Sequence, residues 1–251
     1  MANKKMTGIP EVDAMIAQIN KKFEKTIIGD ESFIAPEPVR TGSDLLDAAL
    51  DIGGIPKNRV TEILGEPSGG KTSLALQILA NAQADRPSDS EELDLVIDLE
   101  QTITEEFMQG FGINTNKVLH VRPSSAEEAL QIAIDLPKTG KFGIVLVDSV
   151  GAMQADAETK KEAGESLVGG VSKMMHWAMR QISKICEETE TTYIFINHIT
   201  YKPGCTYGDP RTSPGGNALP FFASVRLEVL KSKPSPDSPG AFIMHVKIKK
   251  N

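Results

Sequence analysis

The sequence predicts an α/β domain with a mainly parallel central sheet, preceded by a single amphipathic helix on a tether. From about residue 44 onward, apolar strand-like runs alternate with helical stretches, which is the order that parallel sheets with crossover helices produce. Residues 65–72 place a glycine-rich turn between one such run and the helix that follows it, as the phosphate-binding loops of α/β domains do. The length of 251 residues fits one large domain, or one domain with a small appendage.

The amphipathic helix is predicted over residues 11–24, because its apolar residues repeat at helical spacing. These residues are Val12, Met15, Ile16, Ile19 and Phe23. A segment rich in helix-breaking residues follows to about residue 43 and is interpreted as a linker. A helix this short is not stable alone in water, so its apolar stripe must pack against another surface. The pattern leaves open whether that surface is this chain's own core or a neighbouring subunit.

The elements of the α/β domain follow from the apolar runs. Strands are predicted at residues 60–65, 93–99, 118–121, 143–147, 193–196 and 225–230, and helices at 71–84, 104–110, 126–135 and 168–189. Two long irregular stretches remain, 153–167 and 199–217. Loops of this length inside a compact domain are uncommon, and they are usually functional or mobile.

Composition narrows the class of protein. The chain has 27 Lys plus Arg against 34 Asp plus Glu, a net charge of −7, which argues against a generic nucleic-acid coat but leaves room for a local basic groove. No run approaches the roughly 18 apolar residues of a membrane span, and the first residues lack the apolar core of a secretory signal. We therefore expect a cytosolic protein without a membrane partner. Cys186 and Cys205 have no metal-ligand or disulfide spacing and are expected to be structural or incidental thiols.

The strongest functional signal is the phosphate loop, residues 65–72, which matches G-x-x-x-x-G-K-[ST]. Its backbone N–H groups and the start of the next helix can bind phosphate oxygens. Lys71 is expected to bridge the β- and γ-phosphates of ATP, and the hydroxyl of Thr72 to hold Mg²⁺. A plain connecting turn is the alternative, which the complete pattern disfavours. The predicted nucleotide-binding residues of this segment are Gly65, Glu66, Pro67, Ser68, Gly69, Gly70, Lys71, Thr72 and Ser73.

Polar residues follow three of the predicted strands, and the carboxyl ends of parallel strands share one edge of the sheet. Asp148 ends an apolar strand and is expected to orient Mg²⁺ through water. Glu100 is the best candidate to polarise the attacking water, with a surface acid that caps the next helix as its alternative. His198 follows Asn197 and is either a sensor of the γ-phosphate or an ordinary polar residue at the start of a loop.

At this point the sequence resembles a known family. The ordered segments GEPSGGKTS, VIDLEQ, IVLVDSVGAM, MMHWAMRQI, IFINHI and GGNALPFFASVRLEV resemble the RecA family of recombinases. His198, in place of the family's usual glutamine, is similar to phage recombinases of the UvsX type. The resemblance implies a RecA-like phosphate-loop ATPase core over residues 43–251 and an N-terminal oligomerisation helix with its linker over residues 1–42. We expect no counterpart of the family's usual small C-terminal domain.

The function that the resemblance implies is a DNA-dependent ATPase of recombination and repair, in a bacterial cytoplasm or as a phage protein there. It would form helical filaments on single-stranded DNA with ATP and Mg²⁺, pair that strand with homologous double-stranded DNA, and work with a single-strand-binding or mediator protein. Two rivals stay open: a RecA-like ATP-gated assembly module without strand exchange, and a hexameric helicase-type motor. The segment from residue 215 to 226 and the tethered helix favour the recombinase.

The resemblance also implies contacts between protomers. The tethered helix would pack on the adjacent protomer through Ile16, Ile19 and Phe23, and a head-to-tail contact of this kind generates a filament. Phe221 resembles an aromatic residue that fills a pocket of the neighbour, with an ordinary core position as its alternative. The run Lys247, Lys249 and Lys250 is similar to the segment that reaches a neighbour's γ-phosphate, and Lys250 matches the first of two interfacial lysines.

The remaining implications concern DNA and the adenine base. Residues 153–167 and 199–217 match the family's first and second DNA-binding loops. For each lysine or arginine taken singly, a solvated surface charge is the alternative to DNA binding. The DNA-binding residues would be Lys173, Arg180, Lys202, Arg211, Gly215, Gly216 and Asn217. Phe107 resembles the aromatic residue that stacks on adenine, with core packing as its alternative. The sequence departs from the family at Thr104, where an aspartate usually contacts adenine, and at Pro67, where bacterial members have a glutamate.

Overall fold

A computed structural model describes residues 8–22, 35–154, 170–201 and 211–251. The chain divides into two compact units, Met1–Pro36 and Glu37–Asn251. Phe23, Lys202 and most of the stretch 153–167 lie outside the described residues, as does the middle of the stretch 199–217. Among the described residues, no helix combines the length and the apolar character that crossing a bilayer requires.

The first unit contains helix α1, Pro10–Lys22. Acidic residues occupy its first turn and Lys21 and Lys22 its last, which complements the partial charges at the two ends of a helix. Val12 and Met15 are exposed, and Ile16 and Ile19 are half-buried.

The second unit contains one large sheet and the helices that flank it. Its strands are β1 Pro38–Val39, β2 Ile55–Pro56, β3 Val60–Gly65, β4 Leu93–Asp98, β5 Val118–Val121, β6 Phe142–Asp148, β7 Thr192–His198, β8 Thr200–Tyr201, β9 Arg211–Thr212, β10 Val225–Val229, β11 Lys233–Pro234, β12 Phe242–Ile243 and β13 Val246–Lys250. Its α-helices are α2 Asp44–Ala49, α3 Lys71–Ala84, α4 Glu105–Gly110, α5 Ala126–Asp135, α6 Gly170–Thr189 and α7 Ala218–Phe222.

Seven strands form the main sheet in the order β13-β10-β3-β7-β6-β4-β5. All neighbouring pairs are parallel except β13, which pairs antiparallel with β10 at one edge. The chain leaves β3 and returns three positions away at β4, with β7 and β6 filling the gap. Such reversals of strand order place a crevice at the carboxyl ends of the strands, where ligands bind in open α/β sheets.

The core lies on both faces of this sheet because successive residues of a strand point to opposite sides. In β6, Val145 and Val147 pack into the cluster beneath α5, α6 and α7, whereas Ile144 and Leu146 pack into the cluster beneath α2 and α3. Strands buried on both faces are apolar throughout. The predicted fold class, an α/β domain with a mainly parallel sheet, is therefore confirmed.

Several elements were not predicted from the sequence, among them helix α7 and the short pairs β1–β2 and β11–β12. The stretch 199–217 is not wholly irregular, because β8 and β9 pair antiparallel within it. The lysine run near residue 250 forms strand β13, which was not predicted. Helix α2 was also missed, although Ser43 caps it by accepting a hydrogen bond from the Leu46 N–H at 3.4 Å.

Candidate active site

The phosphate loop lies between β3, which ends at Gly65, and α3, which begins at Lys71. Ser68 and Gly70 adopt left-handed backbone conformations, with φ of 60° and 96°, and these turn the chain sharply into the helix. Lys71 is buried, and its Nζ donates to the carbonyl oxygen of Glu66 at 2.8 Å. Burial lowers the pKa of Lys71, against the opposing influence of the Glu100 and Asp148 carboxylates. A carbonyl group of the phosphate loop thus holds the Lys71 ammonium group close to the loop backbone.

Thr72 and Asp148 form the second part of the site. The Thr72 Oγ1 hydroxyl donates to Asp148 Oδ2 at 2.7 Å. Burial raises the pKa of Asp148 to about 6, helped by the charges of Glu100 and Asp98 and opposed by the Thr72 hydrogen bond and by Lys71. No group of three or more His, Cys, Asp or Glu side chains among the described residues forms a metal cage. Mg²⁺ is commonly held by one or two protein oxygens and its own waters, so this hydroxyl and carboxylate fit it.

Glu100 is held by two partners beyond the end of β4. Its Oε1 accepts a hydrogen bond from the Ser149 hydroxyl, and the same atom lies 2.7 Å from His198 Nε2. Burial, the largest influence, raises the pKa of Glu100, but the hydrogen bonds from Ser149 and His198 and the charges of His198 and Lys71 together lower it below its ordinary value. Glu100 is therefore an ionised carboxylate at neutral pH, in contact with the predicted sensor.

The edge of the sheet fixes these groups relative to one another. The backbone N–H groups of Leu99 and Glu100 donate to the Asp148 carbonyl oxygen at 2.7 and 3.3 Å. Because a carboxylate only accepts, His198 Nε2 donates to Glu100. His198 Nδ1 is buried and lacks a hydrogen-bond partner among the described residues. The structure thus brings Glu100, Asp148 and His198 to one edge, beside the phosphate loop.

Asp98 supports the segment that carries Glu100, which the sequence did not indicate. It is fully buried at the end of β4 and accepts hydrogen bonds from the N–H groups of Thr102 and Ile103 at 3.2 and 3.1 Å. His120 Nε2 and Arg122 Nε lie 3.3 and 3.5 Å from the same carboxylate. Arg122, which follows strand β5, therefore compensates the buried charge of Asp98, and the two backbone N–H groups fix this turn.

Asn197 connects the nucleotide edge to the second predicted DNA-binding loop. Its Oδ1 accepts from the His198 N–H at 2.9 Å. Its Nδ2 donates to the Pro214 carbonyl oxygen at 3.1 Å and to Glu62 Oε1 at 3.0 Å. This buried amide therefore contacts both the residue that touches Glu100 and the returning limb of the loop. In the sequence, Asn197 only follows a predicted strand, and no role was predicted for it.

Two buried glutamates anchor the surroundings of this loop. Glu62 of β3 pairs with Arg226 of β10 at 2.5 Å. Glu228 of β10 pairs with Arg211 at 2.8 Å and with Lys249 of β13 at 3.4 Å. Arg211, predicted to bind DNA, is thus engaged with a buried carboxylate, and its role toward DNA stays a prediction.

The other predicted DNA-binding residues lie near α6. Lys173 and Arg180 are exposed on this helix. Gly215 and Gly216 have φ of 80° and 69°, and they approach α6 so closely that a Cβ at Gly216 would collide with the Ser172 hydroxyl. Asn217 is the N-cap position of α7.

Three of the residues predicted to contact another protomer are exposed: Phe221, Lys247 and Lys250. Phe221 is 73% exposed, so its alternative as a core residue is wrong. Lys250 Nζ donates to the carbonyl oxygen of Phe221 at 3.2 Å and more weakly to that of Pro220. Lys247 is exposed on β13, opposite Glu228 in the strand register.

Phe107, predicted to stack on adenine, lies on helix α4, and Ser73 lies on helix α3. Phe107 is partly exposed and packs edge-to-face on Phe111, with ring centroids 5.4 Å apart. Phe111 and Ser73 both line a cavity of about 450 Å³, together with Met244, and this volume lies in the range of small-ligand pockets. Thr104 caps α4 by accepting from the Phe107 N–H at 3.2 Å.

A phosphate loop that enters a helix, with carboxylates from neighbouring parallel strands at the same edge, defines the class of phosphate-loop nucleotide-binding proteins. The chain belongs to the RecA family: the family model described as the RecA N-terminal domain matches residues 10–251. The resemblance seen in the sequence is confirmed.

Curated relatives agree with this assignment. The chain is 40% identical over 242 residues to "Protein RecA" of Deinococcus radiodurans, covering 95% of this chain and 65% of that protein. It is 38% identical over 231 residues to "Protein RecA" of Salinispora tropica, covering 89% and 65%. It is 38% identical over 242 residues to "Protein RecA" of Syntrophus aciditrophicus, covering 95% and 69%. The chain thus spans about two thirds of the length of the relatives it matches.

Proposed function

We propose that this chain is a DNA-dependent ATPase that forms helical filaments on single-stranded DNA and pairs that strand with a homologous duplex. The observation that carries this proposal is the placement of Asn197 and His198. One residue bonds the returning limb of the second loop, and the next touches Glu100. A change at the nucleotide edge can therefore move the loop directly, which is the coupling that a DNA-dependent ATPase requires. The membership of the RecA family supports the same activity.

ATP would be bound by the phosphate loop, with Lys71 as the cation facing its β- and γ-phosphates. Thr72 and Asp148 would hold Mg²⁺, as their hydrogen-bonded oxygen pair indicates. When bound, Mg²⁺ supplies positive charge beside the phosphate oxygens. Base selectivity would come from Phe107 and Thr104, and Phe107 packs on Phe111, which lines the neighbouring cavity.

Glu100 would act as the general base of hydrolysis. The lowered pKa of this carboxylate keeps it ionised at neutral pH, so it can accept a proton from the water that attacks the γ-phosphorus. His198, whose Nε2 hydrogen-bonds to Glu100 Oε1, would act as the sensor of the γ-phosphate. Lys250 would act from a neighbouring protomer, so full hydrolysis would need the assembled state.

The filament would be built by residues 1–42, through Ile16, Ile19 and Phe23, together with Phe221, Lys247 and Lys249. ATP held between protomers favours assembly, and its hydrolysis removes that bridge. Single-stranded and double-stranded DNA are the proposed partners, with a single-strand-binding or mediator protein as a further one. The proposed location is the bacterial cytoplasm, which membership of the RecA family supports.

The test is ATP hydrolysis by the purified chain with and without single-stranded DNA, followed by joint-molecule formation between a labelled oligonucleotide and supercoiled duplex. We expect stimulation by DNA and ATP-dependent joint molecules, both absent in Lys71→Ala. Hydrolysis that DNA does not stimulate would contradict the proposal. Stimulation without joint molecules would favour the assembly module or the helicase-type motor, and electron microscopy would separate open filaments from closed rings.

A further inference from the structure

The only tryptophan of the chain, Trp177, lies on the solvent-facing side of α6. The large apolar residues on the opposite side, including Met175, Met179 and Ile182, are fully buried, whereas Trp177 is 48% exposed. Among the described residues, no aromatic ring packs on the indole. A single exposed apolar side chain would by itself mean little. Its neighbours on the helix give it significance.

Trp177 lies within a row of cations. Lys173 precedes it by four residues, Arg180 follows by three and Lys184 by seven, and residues at these spacings share one face of a helix. All four side chains are exposed, and we call them the Trp177 stripe. Lys184 forms an ion pair with Glu188, with 3.8 Å between the charged atoms, so Lys173 and Arg180 are the two cations that give the stripe its positive charge in a chain of net charge −7. The stripe therefore suits a polyanion.

The stripe lies beside the predicted DNA-binding loops. Helix α6 begins at Gly170, directly after the stretch that contains the first of these loops. The glycine pair that ends the second loop packs against the same helix: a Cβ at Gly215 would meet Met175, and a Cβ at Gly216 would meet Ser172. The amino-terminal end of the stripe is thus next to the point where the second loop returns to the core.

We infer that Trp177 is a base-stacking residue of the single-stranded DNA interface, an inference that rests on the proposed function. The indole stacks on one base, while Lys173 and Arg180 pair with phosphates on either side of it. These two cations are separated by roughly 10 Å along the helix axis, given a rise of about 1.5 Å per residue, which leaves room for a stacked base between them. Stacking of this kind accepts any base, because every base presents a π-face.

The binding experiment uses two signals on the same sample. The anisotropy of a fluorescein-labelled oligothymidine measures DNA binding, in the presence of Mg²⁺ and a slowly hydrolysed ATP analogue. The emission of Trp177, excited selectively over tyrosine, reports the environment of the indole. We expect the oligothymidine to quench this emission at the same concentrations at which its anisotropy rises. The ATP analogue alone, which promotes assembly, is the blank for any contact between protomers.

Variants then separate stacking from packing. We expect Trp177→Ala to weaken oligothymidine binding about 5- to 150-fold, the range that base stacking on an aromatic side chain covers, and Trp177→Phe to recover most of it. Leu119→Ala, at a residue of similar exposure on the edge strand β5, is the matched control and should bind like the unmodified chain. An oligonucleotide with abasic sites should neither quench the indole nor distinguish Trp177→Ala from the unmodified chain.

Charge and stacking also differ in their dependence on salt. Lys173→Gln should reduce the slope of log affinity against log salt by about one, whereas Trp177→Ala should leave that slope unchanged.

The possible results distinguish a failure of the stacking inference from a failure of the proposed function. If the oligothymidine binds but the indole emission stays constant and Trp177→Ala binds as tightly as Leu119→Ala, the stacking inference is overturned while DNA binding stands. If the ATP analogue alone changes the emission and DNA adds nothing, Trp177 faces another protomer and the inference is also overturned. If the unmodified chain binds no oligothymidine, the proposed function itself fails and the inference fails with it.

Discussion

The buried pair between Glu62 and Arg226 offers the clearest quantitative test of how this site is held together. Glu62 is completely buried and Arg226 is 17% exposed, with 2.5 Å between the paired atoms. Arg226→Leu would leave the carboxylate without a countercharge, which in buried pairs costs about 3–5 kcal/mol of unfolding free energy. Asn197 still donates to Glu62 at 3.0 Å, so we expect about 3 kcal/mol, the lower end of that range.

Urea-induced unfolding of the nucleotide-free protein, followed by circular dichroism, measures this cost. A loss of about 3 kcal/mol also lowers the melting temperature by roughly 6–12 °C in a chain of this size. The control is Lys57→Met, which breaks the exposed pair with Glu37 at 3.0 Å and should cost less than about 1 kcal/mol. In the double variant Glu62→Gln/Arg226→Leu no charge remains, so stability should return toward the original. Equal costs for Arg226→Leu and Lys57→Met, or a double variant no more stable than the single one, would refute the reasoning.

Three further predictions follow from the site and from one buried thiol. Glu100→Gln should keep the filament on DNA but reduce hydrolysis about 10²- to 10⁴-fold, the usual effect of losing a general base; single-turnover hydrolysis checks this, and rapid turnover would remove Glu100 from its role. Burial raises the pKa of Asp148 to about 6 from an ordinary 3.8, so the native protein binds this proton more tightly than the unfolded chain does. In the metal-free protein, the contribution of Asp148 to stability should therefore fall as the pH rises from about 4 to about 6, and unfolding measured with a chelator should show that Asp148→Asn removes this dependence. Burial raises the pKa of Cys186 to about 12, which makes this thiol unreactive at neutral pH. In a Cys205→Ser variant, a thiol reagent should therefore label Cys186 only after denaturation. Labelling of the native protein at neutral pH would contradict this prediction.

The sheet could be predicted because its central strands are buried on both faces. Residues 144–147 are all apolar. Their side chains pack alternately into the core clusters on the two faces of the sheet. Strand β13 escaped prediction because only Val246 and Ile248 face the core cluster, while lysines occupy the alternate positions. The sequence does alternate apolar residues and lysines here, as a strand does. The lysines were interpreted only as residues of a contact between protomers.

The candidate site likewise combines residues that lie in short sequence motifs with pairs of residues that are far apart in the sequence. Short motifs that can be recognised from the sequence alone contain Lys71, Thr72 and the carboxylates at the ends of β4 and β6. The supporting pairs do not lie in such motifs: Glu62 and Arg226 are 164 positions apart, and Asn197 and Glu62 are 135 apart. Their partnership exists only after β3, β7 and β10 have taken adjacent places in the sheet. No periodicity or spacing signals such contacts.

Strand β13 is also an edge strand of the main sheet. An outermost strand presents unpaired backbone groups that invite edge-to-edge association with other chains, and lysines along it are a common deterrent. In β13, Lys247, Lys249 and Lys250 occupy three of five positions. The lysines that the family resemblance places at a neighbour's nucleotide thus also discourage indiscriminate β-pairing. Neutralising all three would be expected to promote aggregation.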